Sequence, residues 1–258
     1  MRAVVSIGLP GTTPAETLRA LAPRIEALGF GALWLNDVPG GDSLDGLRVA
    51  ASVTESLGLA TGVIPLDRRQ AESLDLDGLP VERTTLGVGS GGSRHPLGLV
   101  ERGVSVLREA TAASIVVGAL GPRMRRLAAE QADGVLFNWL TPAAAAEAAA
   151  EARSVAGDRS MHAVLYVRTI TEAAARTALE KEASRYDAVP SYAANFERLG
   201  IRAIDATLDL SADPAALAAF DVVDELVLRA ITPSGSLAEL ERFVEASARA
   251  RETATSSR

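Results

Sequence analysis

Residues 114–142, SIVVGALGPRMRRLAAEQADGVLFNWLTP, predict one complete unit of strand, loop, helix and strand. The run at residues 114–119 is short and rich in β-branched side chains, as in a fully buried parallel strand. Pro122 stands at the first position of the predicted helix, where the missing N–H group of proline carries no penalty. Asn138 and Trp139 then fall at the C-terminal end of the second strand.

The glycine-rich turn of this unit, residues 118–121, is the first candidate site. A strand that enters a helix through glycines leaves backbone N–H groups at the positive end of the helix dipole, where an anion can bind. Arg123, Arg125 and Arg126 follow in the first helical turn, where cations are disfavoured unless an anion or carboxylates offset them. Two interpretations remain open: a cofactor phosphate bound at residues 118–122, or a tight turn followed by arginines on a solvated face.

The length and composition of the chain fit one large α/β domain. A chain of 258 residues suits a single (β/α)8 barrel, which typically has about 250 residues, and 48% apolar residues can form a large core. The net charge of −7 argues against general attraction to nucleic acid or to an anionic membrane. A local positive site would therefore have to hold any anionic ligand.

The sequence offers little for metal binding or for export. It contains no cysteine and two histidines without paired spacing, so thiolate and histidine metal centres are not expected. The N-terminus lacks the apolar core of a signal peptide, and no stretch is long and apolar enough to span a membrane. We expect a cytoplasmic protein that acts on a small molecule, with no nucleic-acid or membrane partner.

Eight candidate strands alternate with helical segments, which predicts a parallel sheet closed into a (β/α)8 TIM barrel. The strands lie at residues 3–8, 32–35, 59–64, 84–88, 114–119, 135–137, 162–170 and 222–230. A doubly wound open sheet is the alternative, but Gly8-Leu-Pro-Gly11 breaks the GxGxxG spacing of its dinucleotide site. We expect a single domain at residues 1–251 and a polar, frayed tail at residues 252–258.

Several helix boundaries are also predicted from local signals. Thr13–Glu16 and Ser236–Glu239 have the spacing of capping boxes at the starts of the first and last helices. A helix is expected over residues 44–57, with Leu57 on its buried face and Gly58 just beyond its end.

In a barrel of this kind, polar residues at the C-terminal ends of the strands form the site. The residues at those ends are Asn36, Asp37, Thr61, Gly62, residues 87–90, residues 118–121, Asn138, Trp139, Arg168, Thr169, Arg229 and Thr232. Glycines at three adjacent strand ends suggest a flat ligand close to the backbone. The packing of the barrel mouth, which also needs small residues, is the competing explanation.

Single residues in this set have two interpretations each. Asp37 is either a proton donor or acceptor or a helix cap, and His95 is either a site residue or a solvated loop residue. Trp139 either covers a ring system or packs the rim of the barrel. The pair Arg68 and Arg69 either meets an anionic ligand tail or lies on the surface.

Six stretches together resemble the luciferase-like monooxygenase family, in particular its coenzyme F-420 (8-hydroxy-5-deazaflavin) dependent oxidoreductases. They occur in the order of that family and cover most of the chain. The stretches are ALWLND at residues 32–37, LATGVIPLDRR at 59–69, TTLGVGSG at 84–91, residues 117–142, YVRTI at 166–170 and PSYAANFERLG at 190–200. The stretch at residues 117–142 is the most specific of them.

The resemblance implies a barrel with a flavin-like ring at its C-terminal mouth and a bulge with a non-prolyl cis peptide at Gly62-Val63. It places the cofactor phosphate at residues 118–122 and Asp37 near the substrate. The implied cofactor-binding residues are Gly62, Val63, Gly87, Gly89, Gly118, Ala119, Leu120, Gly121 and Asn138. The candidate substrate-binding residues are Asn36, His95 and Trp139.

The function implied by the resemblance is hydride transfer between F-420 and a small organic substrate, with Asp37 as the catalytic proton-transfer residue. An FMN-dependent monooxygenase is the close alternative. The chain also has shortened loops relative to the family, because residues 92–113 hold little beyond one helix. Three consequences remain open: an open site, a site completed by a second subunit of a homodimer, or a non-catalytic relative with a degenerate pocket.

Overall fold

The computed structural model describes residues 1–256, and eight parallel strands form a closed ring in this part of the chain. The barrel strands are β1 (Val4–Pro10), β2 (Ala32–Asn36), β3 (Gly58–Thr61), β4 (Thr84–Gly89), β5 (Ser114–Gly118), β6 (Gly134–Asn138), β7 (His162–Ile170) and β8 (Glu225–Ala230). Two further two-residue strands, Ile64–Pro65 and Leu208–Asp209, add to β4 and β7.

Helices follow most of the strands on the outside of the ring. They are α1 (Ala15–Ala27), α2 (Ser43–Ala51), α3 (Pro96–Ala110), α4 (Pro122–Gln131), α5 (Pro142–Ala156), α6 (Arg176–Asp187), α7 (Pro190–Leu199) and α8 (Leu237–Ser256). Short 3-10 helices lie at Ala71–Ser73, Val81–Arg83, Ala173–Ala175, Ala203–Ala206 and Pro214–Phe220. One helix, α3, lies between β4 and β5, in keeping with the short segment noted in the sequence.

The ring closes because β8 pairs in parallel with both β1 and β7. Ile7, for example, lies between Leu33 of β2 and Leu228 of β8. The predicted TIM barrel is therefore confirmed, and the open doubly wound sheet is excluded.

Two apolar regions hold the barrel together. The larger lies between the strands and the surrounding helices, and the smaller fills the inside of the ring. Because successive side chains of a strand point to opposite faces, six of the eight strands, all except β1 and β4, contribute to both regions. The inner set comprises Ala32, Trp34, Ala60, Val116, Leu136, Val164, Tyr166 and Val227, with Val63 at its edge.

The second helix is shorter than predicted. It ends at Ala51, whereas the sequence predicted a helix to residue 57. The carboxylate of Glu26 accepts hydrogen bonds from the N–H groups of Glu55, Ser56 and Leu57 and holds this segment in a turn. Leu57 is buried there, so its apolar character reflects packing rather than helical periodicity.

Both predicted capping boxes are wrong in detail. The Thr13 hydroxyl donates to the carbonyl of Pro10, and α1 begins without a side-chain cap. The Glu239 carboxylate accepts from the N–H groups of Ser234 and Gly235 rather than from Ser236. In each case the side chain of the motif makes its hydrogen bond to the turn that precedes the helix, not to the other end of the capping box.

The C-terminal end of the chain also differs from expectation. The sequence predicted a frayed tail from residue 252, but α8 continues to Ser256 and buries Ala250 and Ala254. Residues 257 and 258 lie outside the described residues. Across residues 1–256, no helix combines the length and the apolar character that a membrane crossing requires.

Candidate functional site

A cavity of about 440 Å³ opens at the C-terminal mouth of the barrel. Most of the residues predicted for the site line this cavity: Asn36, Asp37, Gly62, Val63, Gly89, Gly118, Ala119, Leu120, Gly121 and Asn138. Arg68, Tyr166, Arg168, Tyr186 and Tyr192 are among the remaining lining residues. The location agrees with the rule that TIM-barrel sites form at the C-terminal ends of the strands.

One wall of the cavity consists largely of backbone. A Cβ atom on Gly89 or on Gly118 would lie 2.9 Å from the side chain of Val63, so neither position can hold a side chain without a shift of Val63. Glycines at these two positions therefore make room for the side chain of Val63, as the packing explanation for small residues at the mouth requires. A flat ring on this side of the cavity would lie against Val63.

The segment after β3 bulges toward the cavity. The peptide bond between Gly62 and Val63 is cis, as the family resemblance implied. The Gly62 N–H group donates to the carbonyl of Leu35 at 2.8 Å, and the Asp37 N–H group donates to the carbonyl of Val63 at 3.3 Å. These two bonds tie the bulge to the end of β2 and fix the position of Val63.

The start of α4 forms one end of the cavity and has no side-chain cap. The first hydrogen bond of the helix runs from Arg125 N–H to the carbonyl of Gly121 at 3.1 Å, so the N–H groups of Arg123 and Met124 have no acceptor among the described residues. A Cβ atom on Gly121 would meet nothing within 4 Å. Open space therefore lies above an unsatisfied helix N-terminus, which is the arrangement of an anion site.

The carboxylate of Asp37 is fully engaged by protein groups. One oxygen accepts from the Ser43 N–H group at 2.8 Å, and the other lies 2.9 Å from the Arg69 guanidinium. Arg69 also pairs with Asp42 at 2.9 Å. Asp37 thus lines the cavity and also anchors Arg69 and the start of α2, while its role in proton transfer stays a prediction.

A buried cation supports the opposite side of the cavity. The Arg168 guanidinium donates to Glu182 at 3.0 Å and also to the side chain of Asn138, and it stacks 4.1 Å above the ring of Trp139. Burial acts to lower the pKa of Arg168, but the electrostatic effects of Tyr186 and Glu182 outweigh it and raise this pKa above its ordinary value. Arg168 therefore stays charged and fixes the orientation of Asn138.

Three of the candidate cofactor- and substrate-binding residues lie away from this cavity. Trp139 is 1% exposed and packs on Tyr186 and Phe196, so the structure agrees with the packing interpretation of this residue. Gly87 faces β3, where a Cβ atom would lie 1.9 Å from the carbonyl oxygen of Thr61. His95 is exposed and lines a neighbouring cavity.

The sequence interpretation missed Tyr166 as a site residue. Its hydroxyl is buried and has no hydrogen-bond partner, and the same holds for the side-chain oxygen of Asn36. Burial raises the pKa of Tyr166 to about 12, so its hydroxyl keeps its proton at neutral pH. The alternation of β7 could have revealed it, because residues two apart on a strand share a face and Arg168 was already a candidate.

Another buried polar side chain, Arg125, lacks hydrogen bonds at two of its nitrogens and lies outside the cavity. Its Nε and Nη2 atoms make no hydrogen bonds, and its guanidinium lies 5.5 Å from the ring centre of Phe137. Burial lowers the pKa of Arg125 to about 10, and the nearby positive charge of Arg198 adds to this effect. Of the three arginines that follow the glycine turn, this one does not lie on a solvated face.

Taken together, the residues at the mouth fit a ligand with a planar ring and an anionic chain. The mouth combines the side chain of Val63 with buried, unpaired polar groups on Asn36 and Tyr166. The open space at Gly121 lies at the uncapped start of α4. No group of three or more metal-ligating side chains occurs within residues 1–256.

Comparison with known proteins yields matches in structure and none in sequence. No protein-family model matches the chain, and no curated protein matches its sequence. A coenzyme F-420-dependent tetrahydromethanopterin reductase from Methanopyrus kandleri superposes with a TM-score of 0.65 at 16% identity, over 96% of this chain and 98% of that one. An F-420-dependent secondary alcohol dehydrogenase superposes with a TM-score of 0.70 at 13% identity, over 96% and 99%.

A third similar structure is the oxygenating constituent of 3,6-diketocamphane monooxygenase from Pseudomonas putida, a type II Baeyer-Villiger monooxygenase in complex with FMN. It matches with a TM-score of 0.65 at 13% identity, over 93% of this chain and 96% of that one. At such identities the likeness establishes a shared fold and leaves the choice of cofactor open.

Proposed function

We propose that this protein is an oxidoreductase that binds coenzyme F-420 at the barrel mouth and transfers a hydride between it and a small organic substrate. The observation that carries the proposal is a cavity with a backbone wall for a ring at one side and an uncapped helix start for a phosphate at one end. The F-420-dependent enzymes among the structural neighbours support it.

Each part of the cofactor would have its own residues. The ring would lie against Val63 and the glycines of the backbone wall, and the phosphate would accept hydrogen bonds from the N–H groups of Arg123 and Met124. F-420, when bound, supplies or accepts the hydride, and the protein orients it and excludes water. Asn138, held by Arg168, would contact the cofactor on the opposite side.

Two side chains at the mouth are candidates for proton handling. Tyr166 is the better donor, because its hydroxyl is protonated at neutral pH and has no protein partner, but it lies buried beside Gly8 and would have to turn toward the ligand. Asp37 already accepts hydrogen bonds at both oxygens, so proton transfer by its carboxylate would require the pair with Arg69 to open. An Asp37→Asn variant separates the two: turnover that stays unchanged across pH would leave Tyr166 as the proton donor.

The experiment that tests the phosphate site uses paired substitutions at Gly121. Because a side chain there meets open space, Gly121→Asn and Gly121→Asp should both fold normally, which urea unfolding can verify. Both fill the space above the helix start, but only aspartate repels a phosphate. We expect fluorescence titration to show F-420 bound at least tenfold more weakly by Gly121→Asp than by Gly121→Asn.

The same titration distinguishes the alternatives. Preferential binding of FMN would favour a flavin-dependent monooxygenase, in line with the FMN complex among the neighbours. Binding of neither cofactor to folded wild-type protein would refute the proposal and favour a non-catalytic relative. Equal affinities of the two Gly121 variants would place the phosphate elsewhere.

A further inference from the structure

Another cavity, of about 530 Å³, opens at the mouth of the barrel beside the ends of β1 and β8. Among the described residues, it shares no lining residue with the first cavity, which the ends of β2–β7 line. Arg229 and Thr232, two of the strand-end residues noted in the sequence, line this cavity and not the first one. We call it the β8 cavity.

The side chain of Arg229 points to the inside of the ring. Val227, two residues earlier on β8, belongs to the inner apolar set, so Arg229 lies on the same face. In the register of the strands, Arg229 lies directly beside Arg168 of β7, which follows the inner residue Tyr166 by two positions. Two like charges on one face of neighbouring strands repel each other, so this arrangement needs a counter-ion.

One carboxylate serves both arginines. Glu182 of α6 lines the β8 cavity and lies 3.0 Å from the Nε atom of Arg168. Burial acts to raise the pKa of Glu182, but the charges of Arg168 and Arg229 outweigh it and hold this pKa below its ordinary value. No other acidic side chain of residues 1–256 lines the β8 cavity. This side of the mouth therefore has two guanidinium groups for a single carboxylate.

Arg229 has few partners for a half-buried arginine. Across residues 1–256 it forms no ion pair, and its side chain donates one hydrogen bond, to the carbonyl of Ala230. Other half-buried arginines are held by more groups: Arg48 and Arg69 each pair with two aspartates, and Arg83 donates four hydrogen bonds. The remaining N–H groups of Arg229 lie beside a cavity and are available to an anion.

A buried hydroxyl close to Arg229 also lacks a partner. The Tyr166 hydroxyl lies 2.6 Å from the position of a Cβ atom on Gly8, and Gly8 is the register partner of Arg229 on β1. Burial raises the pKa of Tyr166 to about 12, and the charge of Arg229 is the largest effect that opposes it. The hydroxyl makes no hydrogen bond. An unpaired cation and an unpaired donor therefore lie near each other at the boundary of the two cavities.

The loop after β8 is already filled where a phosphate would bind. TIM barrels frequently bind phosphate at the loops after strands 7 and 8. Here the N–H groups of Ser234 and Gly235 both donate to the carboxylate of Glu239, at 2.9 Å. A dianion would also be repelled by Glu182 and Glu239, whereas a single carboxylate matches the single unpaired guanidinium.

We propose that the β8 cavity binds a small organic carboxylate through the guanidinium of Arg229. The planar fork of an arginine matches the two oxygens of a carboxylate, and Ile231 and Leu240 offer apolar contacts to the organic part. The inference goes beyond the proposed function and does not depend on which cofactor the first cavity binds. It gives the protein another ligand site, with the ion pair of Arg168 and Glu182 between it and the first cavity.

The test compares a carboxylate with its uncharged amide. Benzoate and benzamide have nearly the same shape, and inorganic phosphate serves as the probe of higher charge. Isothermal titration calorimetry measures their binding to the wild type and to Arg229→Gln, which removes the charge, and Arg229→Lys, which keeps the charge without the fork. Arg242→Gln is the control, because it removes an exposed charge of α8 outside the cavity. Urea unfolding verifies that the variants are folded.

We expect the wild type to bind benzoate more tightly than benzamide or phosphate. Arg229→Gln should weaken benzoate binding at least about tenfold, Arg229→Lys should lose less, and Arg242→Gln should match the wild type. Titration with F-420 should give the same affinity for Arg229→Gln as for the wild type.

Four results would overturn the proposal. They are no binding of benzoate to the wild type, equal binding of benzoate and benzamide, tighter binding of phosphate than of benzoate, and equal losses in Arg229→Gln and Arg242→Gln. A loss of F-420 affinity in Arg229→Gln as large as its loss of benzoate affinity would also contradict it, because this arginine would then serve the first cavity.

Discussion

The two ends of the barrel interior differ in how their polar groups are paired. At the N-terminal floor, the Glu225 carboxylate accepts from Ser6 at 2.6 Å and Trp34 at 2.6 Å and lies 2.9 Å from His162. At the C-terminal mouth, Asn36 and Tyr166 have buried polar atoms without partners. Buried polar groups in proteins are nearly always hydrogen-bonded. The paired groups at the floor therefore stabilise the fold, whereas the unpaired groups at the mouth indicate a ligand site.

The same strands provide both ends, so the difference does not come from separate elements. Trp34 and Asn36 are two residues apart on β2, and His162 and Tyr166 are four apart on β7. Each pair therefore points to the inside of the ring. All strands of a TIM barrel run in the same direction, so their N-terminal ends meet at the floor and their C-terminal ends at the mouth. Residues at the floor generally stabilise the fold, and residues at the mouth form the active site.

The largest effect that tests this comparison is expected at Glu225. Glu225→Ala would leave the buried donors of Ser6 and Trp34 without an acceptor and would remove the partner of the partly exposed His162 ring, so we expect the free energy of unfolding to fall by about 3–5 kcal/mol. Urea denaturation measures it. Glu225→Gln is the matched control, since an amide oxygen can still accept from Ser6 and Trp34, and it should lose about half as much or less. A loss below about 1 kcal/mol for Glu225→Ala would mean that the floor network is not a stabilising one.

Arg125 provides the second test, because it is unpaired but lines neither cavity. If the buried, unpaired polar groups at the mouth serve a ligand, a buried, unpaired group that contacts no ligand should only lower the stability of the fold. Arg125→Met should therefore raise the free energy of unfolding by about 1–2 kcal/mol, since it replaces a poorly solvated charge with an apolar side chain of similar length. Cofactor titration should be unchanged. A lower free energy of unfolding for the variant would show that Arg125 makes a stabilising contact in the folded protein.

The overall architecture could be predicted because it depends on patterns that repeat along the chain. Each of the eight strands is an apolar or alternating run, and β7 matches its predicted range of residues 162–170. Helix α2 was predicted too long because Leu57 is buried for a reason remote in sequence, the contact of its segment with Glu26. Boundaries set by such tertiary contacts leave no local signal.

The parts of the candidate site that consist of backbone were predicted from the sequence. The parts that depend on the direction of a side chain were not. The turn at Gly121 is recognisable from its glycines and Pro122. Trp139 was placed at the site by its position after β6, but its backbone has a positive φ of 56° and turns the ring away to pack on Phe196. Tryptophan rarely adopts a positive φ, so nothing in the local sequence predicts this backbone conformation.

A smaller effect on stability separates the mouth from the floor at Tyr166. Tyr166→Phe removes a hydroxyl that has no partner, so the free energy of unfolding should change by less than about 0.5 kcal/mol or rise slightly. Affinity for F-420 should nevertheless fall about threefold to tenfold, if the hydroxyl donates to the ligand. A loss of stability without a loss of affinity would reverse the roles assigned to the two ends.

The smallest effect concerns the pH dependence of the floor. The hydrogen bond to Glu225 raises the pKa of His162 above its ordinary value of 6.5, although burial opposes the shift. A raised folded-state pKa gives stability that is complete below the unfolded value and is lost as pH rises through the folded value. Because the His162 side chain is 41% exposed, solvent screening should limit the contribution to a few tenths of a kcal/mol, and at most about 1 kcal/mol.

His162→Gln provides the comparison for this effect, because glutamine can hydrogen-bond to Glu225 but cannot become charged. Unfolding free energies of the wild type and the variant should differ most near about pH 6 and converge toward about pH 9. The wild type should be the more stable of the two at the lower pH. A difference that stays constant, or that grows as pH rises, would show that His162 is held at the floor as a neutral ring and that Glu225 contributes its charge to Ser6 and Trp34 alone.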